Sequence, residues 1–514
     1  MKPRIRSTRN VLVALITVLV FSTEANSQAQ KPAETARQEV PRWQQLLEEA
    51  DAVSHDFSPE ERADFLGNAA LAAHGSPRLC EAFSLELFTI ASTKLQPGRY
   101  RAAMQKNALV ALSRVDPEKA ASLFTKQDTP DMWNIPVPGE DFRAFGARTI
   151  FPALYSRKGM TAIPTIQSMA YWVGSTGEYP YRAVSEILNK ISGDHSDTVD
   201  ILVTDAIRFS GIDRHFLDQN KELTEFILSV QHQARSELLR EAITLDLEGL
   251  DRESKDDKAP HHTIEATSSG STVRFNSEPQ YLAYRLLPVI RSLDPDWAGQ
   301  VKKKYAVLAN LPELSQGAQV TMVGAISFQD QQVGSTETSE ALDQHRIMRA
   351  GMLAGGDPQA AAQIALQVSD AELRAIALAD IAPAYMTVDA KRANSWIAES
   401  SDLLRNMPPT ENKLRLMVSL AQAKASQGDT DAALDLMGKS FDLGEELFAQ
   451  YVRANPGQMA YNATGMDELV DLTNKMCQKS ALQASVIRRV ETLREDTLKA
   501  RLLVASAEGT EASG

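Results

Sequence analysis

The densest concentration of chemistry-bearing side chains in this 514-residue chain is Tyr171-Trp172-Val173-Gly174-Ser175-Thr176-Gly177-Glu178-Tyr179-Pro180-Tyr181-Arg182. Four aromatics, one acid and one base gather around a Gly-rich turn, in a chain whose aromatic content is only 6%. Rings with one polar end offer apolar contact together with a hydrogen bond, and loops that display them often contact ligands. Tyr171, Trp172, Glu178, Tyr179 and Tyr181 are therefore the candidate ligand-contacting residues. A purely structural reading competes: Tyr171 and Trp172 end one helix in the core, while Tyr179 and Tyr181 brace the next. Met132-Trp133-Asn134-Ile135-Pro136 is a second, smaller aromatic loop.

Other reactive groups are scattered. No HExxH, CxxC, GxSxG, Walker or GxGxxG pattern stands in a usable context, so the sequence assigns no catalytic, cofactor-binding or metal-ligating set and implies no cofactor. His261-His262 are adjacent, and adjacent residues cannot share one helical face; they read as solvated loop histidines. Asp194-His195 and Arg214-His215 sit near turns, where a capping Asp and plain exposure explain them. Asn462-Ala463-Thr464 has the form of a glycosylation sequon. The two cysteines, Cys80 and Cys477, read as small buried hydrophobes, because an elongated array keeps its chain ends apart.

The N-terminus carries Lys2, Arg4, Arg6 and Arg9, then the apolar run Val11 to Phe21, then small and polar residues to Ala29. Basic flank, short apolar core and small-residue exit are the parts of a secretory signal peptide over 1–29, with cleavage expected between Gln28 and Lys31. The apolar core is shorter than the roughly 20 residues a spanning helix needs, and no later run is long enough, so no integral membrane segment is expected after cleavage. A periplasmic or extracellular protein follows. The chain carries −13, and removing Lys2, Arg4, Arg6, Arg9 and Glu24 leaves about −16. That balance opposes nucleic-acid binding.

The elements that position these groups read as helices. Ser58-Pro59-Glu60-Glu61 is a helix start with a capping Ser, Pro at the first helical position and a Glu able to close the capping box. A recurring phrase marks further starts: Asp116-Pro117, Asp294-Pro295 and Asp357-Pro358, with looser copies at Asp389 and Asp429. In each, the Asp carboxylate is placed to accept the orphan N–H groups of a new helix. Asp357, Asp389 and Asp429 are spaced 32 and 40 apart, within the range of paired-helix repeats. Apolar stripes such as Leu373, Ile376, Ala377, Ile381, Ala384 and Tyr385 supply the packing faces. The fold class is all-α, an α-solenoid-like array of antiparallel helix pairs in two halves, 30–250 and 279–514. The polar interval 251–278 separates them and admits one small hairpin, since Thr263 to Phe275 alternates weakly around Ser-Gly-Ser. Gln316 to Thr338 reads as a surface loop.

Leu420 to Phe441, LAQAKASQGDTDAALDLMGKSF, resembles the centre of a tetratricopeptide repeat, and the chain as a whole a tetratricopeptide-like or HEAT-like array. Ala421, Gly428, Asp429, Ala433 and Met437 fall where that family has small residues, its turn and its second-helix apolar positions. Lys424 departs from the family's aromatic, and the period is not a constant 34 residues. The resemblance implies a noncatalytic scaffold that binds protein or peptide on the concave face of its array and brings no catalytic residues. Two further readings stay open. One is an all-helical secreted enzyme of the polysaccharide-acting α/α toroid type, for which only the Glu178 region offers an acid. The other is a structural envelope protein that associates with copies of itself.

Overall fold

The computed structural model describes residues 40–127, 142–176, 178–191, 195–210, 219–253, 264–268, 271–275, 277–304, 319–321, 339–455 and 465–513. The signal-peptide segment therefore lies outside the described residues, as do Met132 to Pro136, Asp194, Arg214-His215, His261-His262 and the Asn462 sequon. The polar stretch Lys255 to Lys258, Gly177 and most of Gln316 to Thr338 also lie outside them.

Among the described residues from Pro41 onward, the chain is all-α apart from one small sheet. The helices α1 (Arg42–Val53), α2 (Pro59–Ala72), α3 (Pro77–Thr93), α4 (Arg99–Val115), α5 (Pro117–Phe124) and α6 (Phe142–Lys158) come first. They are followed by α7 (Ile163–Thr176), α8 (Tyr181–Lys190), α9 (Ser196–Ser210), α10 (Gln219–Val230) and α11 (Ser236–Glu253). The strands β1 (Ile264–Ser268) and β2 (Ser271–Phe275) precede α12 (Glu278–Leu293), α13 (Pro295–Lys304) and β3 (Gln319–Thr321). The rest is helical: α14 (Ser339–Ala354), α15 (Pro358–Ala365), α16 (Ala371–Leu404), α17 (Glu411–Gln427), α18 (Thr430–Ala454), α19 (Met466–Cys477), α20 (Ser480–Glu491) and α21 (Asp496–Ser513).

The starts follow the local chemistry. Ser58 accepts the Glu61 N–H while Glu61 reaches back to the Ser58 N–H, a complete capping box. All five Asp phrases cap: Asp116 accepts from Lys119 N at 3.0 Å, Asp294 from Trp297 N at 3.1 Å and Asp357 from Ala360 N at 2.9 Å. Asp389 and Asp429 accept from Arg392 N at 3.0 Å and Ala432 N at 3.3 Å. At Asp389 the backbone leaves the helical region (φ −150°, ψ 91°), so α16 is two arms folded at that cap. The arms run antiparallel: Tyr385 and Trp396 have ring centroids 4.7 Å apart, and the Ser400 hydroxyl donates to the Ala375 carbonyl. Gly428 ends α17 at φ +80°, the left-handed position that a side chain disfavours.

Helix pairs stack into two layers. In the first layer α14, α16, α17, α19, α21, α2, α4, α6, α8, α10 and α12 pack side by side in that order. The second members α15, α18, α20, α1, α3, α5, α7, α9, α11 and α13 each back onto a first-layer partner. One pair is made by the first and last described helices, α1 with α21, and α21 also packs on α2. The expectation that an array holds the chain ends apart is thereby overturned. The reason lies in the faces: α1 offers Leu46, Leu47 and Ala50, and α21 offers Leu498, Leu502 and Leu503, all buried. Neither face can be buried alone, and each completes the other's pair. One apolar core runs through Leu46 to Val301 and continues through Leu414 to Ala507; a second occupies Ala350 to Ala423.

β1 and β2 form the antiparallel hairpin, with Ile264 opposite Phe275 and Ala266 opposite Val273. Within the interval 316–338, read as a surface loop, the described residues 319–321 form a third strand instead: β3 pairs with β1 through Ala266 and Val320, giving the order β2-β1-β3. Three residues are too few for a periodic signal, and it is the free edge of β1 that recruits them. Phe275 is fully buried against Tyr281 and Tyr284, which anchors β2 on α12. Cys80 and Cys477 are free and buried, and the Cys80 thiol donates to the Ala111 carbonyl. Among the described residues no helix is long and apolar enough to cross a membrane.

Candidate functional site

The aromatic turn joins α7 to α8, and the structure divides its residues by depth. Tyr179 and Tyr181 are 2% and 0% exposed, and Glu178 is also buried. Tyr179 stacks on Phe209 at 5.3 Å and meets Tyr181 edge-on at 5.0 Å; Tyr181 packs on Phe226 and donates its hydroxyl to the Ala206 carbonyl. Among the described residues the Tyr179 hydroxyl has no hydrogen-bond partner, and burial pushes its pKa well above the usual phenol value. Gly174 allows this packing, since a Cβ there would lie 2.8 Å from both the Phe209 and Tyr179 rings. Trp172 is half-buried, edge-on to Phe124, with the buried Arg143 guanidinium 5.4 Å from its ring. Arg143 donates to the Thr176 hydroxyl at 2.6 Å and to the Thr176 carbonyl at 3.1 Å, placing a cation at the C-terminus of α7. Tyr171 is the exposed member, at 44%, with Arg208 over its ring. The turn thus presents Tyr171 and one side of Trp172 to solvent, on a base formed by the other three.

The first layer displays two chemically distinct stretches on its open side. In α4 the positions 102, 105, 109 and 112 are buried, which leaves Arg99, Ala103, Lys106 and Val110 along the opposite stripe. In α6 Ala144, Ala147, Ile150, Phe151 and Leu154 are buried, leaving Phe142, Phe145, Arg148 and Pro152 partly open. Pro152 lacks the N–H that would bond the Arg148 carbonyl. Lys106 Nζ lies 5.5 Å from the Phe142 ring and 4.5 Å from the Phe145 ring. Arg99 stands over Phe142 at 5.8 Å and Arg148 over Phe145 at 5.6 Å. The row continues as Arg148 and Arg182 of α8 both bond Glu222 of α10 at 3.0 Å. Each ring holds cations by its quadrupole, so the flexible Lys and Arg stems are pre-ordered across two helices, α4 and α6.

The other stretch, on α2, α16, α17, α19 and α21, is built from carboxylates. Asp64 pairs with Arg501, Arg415 bridges Glu411 and Glu468 at 2.6 and 2.9 Å, and Lys475 and Gln422 both reach Asp471. Asn474 donates to Glu508 at 3.0 Å. Crowding by the packed helices raises the pKa of Asp64, Glu508 and Asp380, and carries Asp380 up to about 6. Neighbouring Asp471 and Glu468 add to the rise at Asp380, while Ser419 and Lys475 oppose it. The Asp380 side chain itself keeps solvent contact, so water moderates the effect. Among the described residues no three His, Cys, Asp or Glu side chains converge as a metal site.

A motif search passes over the cation–aromatic row. Its signal is compositional: α4 carries Arg99, Arg101, Lys106 and Arg114, α6 carries Arg143, Arg148, Arg157 and Lys158, and neither helix has one Asp or Glu. No family model matches the sequence, and neither a curated protein nor a solved structure is similar to it.

Proposed function

We propose that the protein is an exported helical scaffold that binds a protein or peptide partner along the open side of its first layer. The observation that carries this reading is the side-by-side packing of that layer, which sets side chains of α4, α6, α8 and α10 in one continuous row. An array of this kind exposes a long surface built from rigid elements, suited to an extended ligand. The tetratricopeptide-like phrase at 420–441 supports the same reading, and the N-terminal basic, apolar and small-residue sequence supports export. The test has two arms. Residues 1–31 fused to a reporter that folds only outside the cytoplasm should confer activity, and a silent reporter contradicts export. The purified protein, titrated with a library of labelled short peptides, should bind a subset saturably; uniform absence of binding contradicts the scaffold reading.

A further inference from the structure

We infer that the outward face of α14 is a self-association surface, on which a second copy of this chain packs its own α14 antiparallel about a two-fold axis. The inference is independent of peptide binding and concerns the α14 end of the first layer.

The two ends of that layer are finished differently. At one end α12 carries the sheet, with Phe275 of β2 fully buried against Tyr281 and Tyr284. At the other, among the described residues, α14 packs on α15 and α16 and has no comparable cover. Every interior helix of the layer has a first-layer neighbour on each side, whereas α14 has α16 alone. Terminal pairs of helical arrays need a polar outer face to stand alone in water. The outer face of α14 is apolar.

Helical geometry sets that face. Ala350 is fully buried in the core shared with α15 and α16. At 3.6 residues per turn, the positions two before and two after it lie about 200° round the helix, on the far side. They are Met348 and Met352, 55% and 77% exposed, the two most exposed large hydrophobics among the described residues. Gly351 and Gly355 lie beside them, and a Cβ at either would meet nothing within 4 Å. Met348, Gly351, Met352 and Gly355 form an uncharged strip, flanked by the exposed Arg349.

Three features select a second copy as the occupant. The open position is that of another first-layer helix, so a helix packed as α16 packs on the other side continues the layer. The strip is also self-complementary. A two-fold axis beside Ala350 sets Met348 of each copy on Met352 of the partner subunit, with the Arg349 stem over the open space at Gly351. The glycines let the backbones approach, and the flexible methionines fill the gaps between them. Finally, the strip carries no charge, so it neither repels its own copy nor offers an ion pair that would select a different protein. The sheet on α12 blocks head-to-tail addition at the opposite end, and association therefore stops at two. With 16 residues α14 is about 24 Å long, so one helix pair falls below the standard interface area and the dimer is concentration-dependent.

The test is sedimentation velocity of the purified protein from about 5 to about 500 μM, across which monomer should convert to dimer. The double variant M348E/M352E should raise the dissociation constant tenfold or more, by setting carboxylates against one another in the contact. Its circular dichroism melting curve should match the parent's, since both positions are exposed. Register is read separately by mild oxidation of single-cysteine variants. A mixture of Met348→Cys and Met352→Cys chains should form a linked dimer more readily than either variant alone, because only the mixture brings the two thiols within bonding distance. Cys80 and Cys477 are buried and stay out of the reaction. If the double variant melts early, the cysteine mixture decides. Monomer throughout the range overturns the inference, whatever the peptide titration gives. A dimer that M348E/M352E leaves intact overturns the α14 face, and species larger than a dimer overturn the two-fold. A monomer whose Met348→Cys and Met352→Cys thiols resist maleimide assigns the cover to the chain's own stretch 322–338, and that outcome overturns the inference as well.

Discussion

The two stretches of the first layer share a scaffold and differ in how their charges are held. On α4, α6 and α8 the cations rest on ring faces and on one buried acid, arranged outward from an apolar base. On α16, α17, α19 and α21 the acids are tied to Arg415, Lys475, Arg501 and Asn474 within the layer itself, and crowding leaves several of them harder to ionise. Ion pairs closed within a layer hold helices together, whereas in the other stretch the cations lie against ring faces. The same helix-pair architecture thus carries one cohesive stretch built on ion pairs and one stretch built on cation–ring contacts.

Substitutions sharpen that contrast, beginning with the largest expected effect. Tyr181→Ala empties a site that is fully buried among Phe226, Tyr179 and the Ala206 carbonyl, and should cost about 3–5 kcal/mol in chemical denaturation. Tyr171→Ala, at the exposed member of the same turn, should change stability by less than about 1 kcal/mol. Equal losses at both positions would remove the distinction between base and surface of the turn.

Next comes the cohesive stretch. Gly509 sits where α21 crosses α19, and a Cβ there would lie 2.3 Å from the Asn474 carbonyl oxygen and 2.7 Å from Cys477 Cβ. Gly509→Ala should therefore destabilise by about 2–3 kcal/mol, through overpacking against backbone. Ala433 is fully buried in the pair α17–α18, and Ala433→Leu should cost about 1–3 kcal/mol. An unchanged unfolding midpoint in Gly509→Ala would contradict the tight crossing of α21 on α19.

The smallest effect is in pH dependence. The folded-state pKa of Asp380 is raised to about 6 from 3.8, so the folded protein binds a proton there more tightly than the unfolded chain. Its contribution favours folding below the ordinary carboxylate pKa and is lost as pH rises through about 6. Asp380→Asn should flatten the decline of stability between about pH 4 and 6. A slope identical to the parent protein's would show that the carboxyl is solvated like any surface Asp.

Local rules carried much of this fold. Ser58, the five capping Asp residues and Gly428 each announce a helix boundary within four residues of sequence, and the structure has a boundary at each. The pairing of α1 with α21 has no such signal, because it joins apolar faces more than 400 residues apart. β3 escapes for a related reason, being recruited by a strand edge and not by its own pattern. The aromatic turn was legible as a cluster, but its depth was not: alternation around Gly174 and Pro180 does not say which rings the neighbouring α9 and α10 will cover. The cation–aromatic row needs two helices laid side by side before it exists, and only its missing acids are visible in the chain.

Hydrogen exchange of backbone amides, with and without a saturating peptide from the library, tests the proposed binding along the row against the cohesive stretch in one measurement. Slowed exchange confined to α4, α6 and α8, with α16, α17 and α19 unchanged, is the predicted result. Protection centred on α17 and α19, or spread evenly through both stretches, would contradict the proposal that the partner lies along α4, α6 and α8.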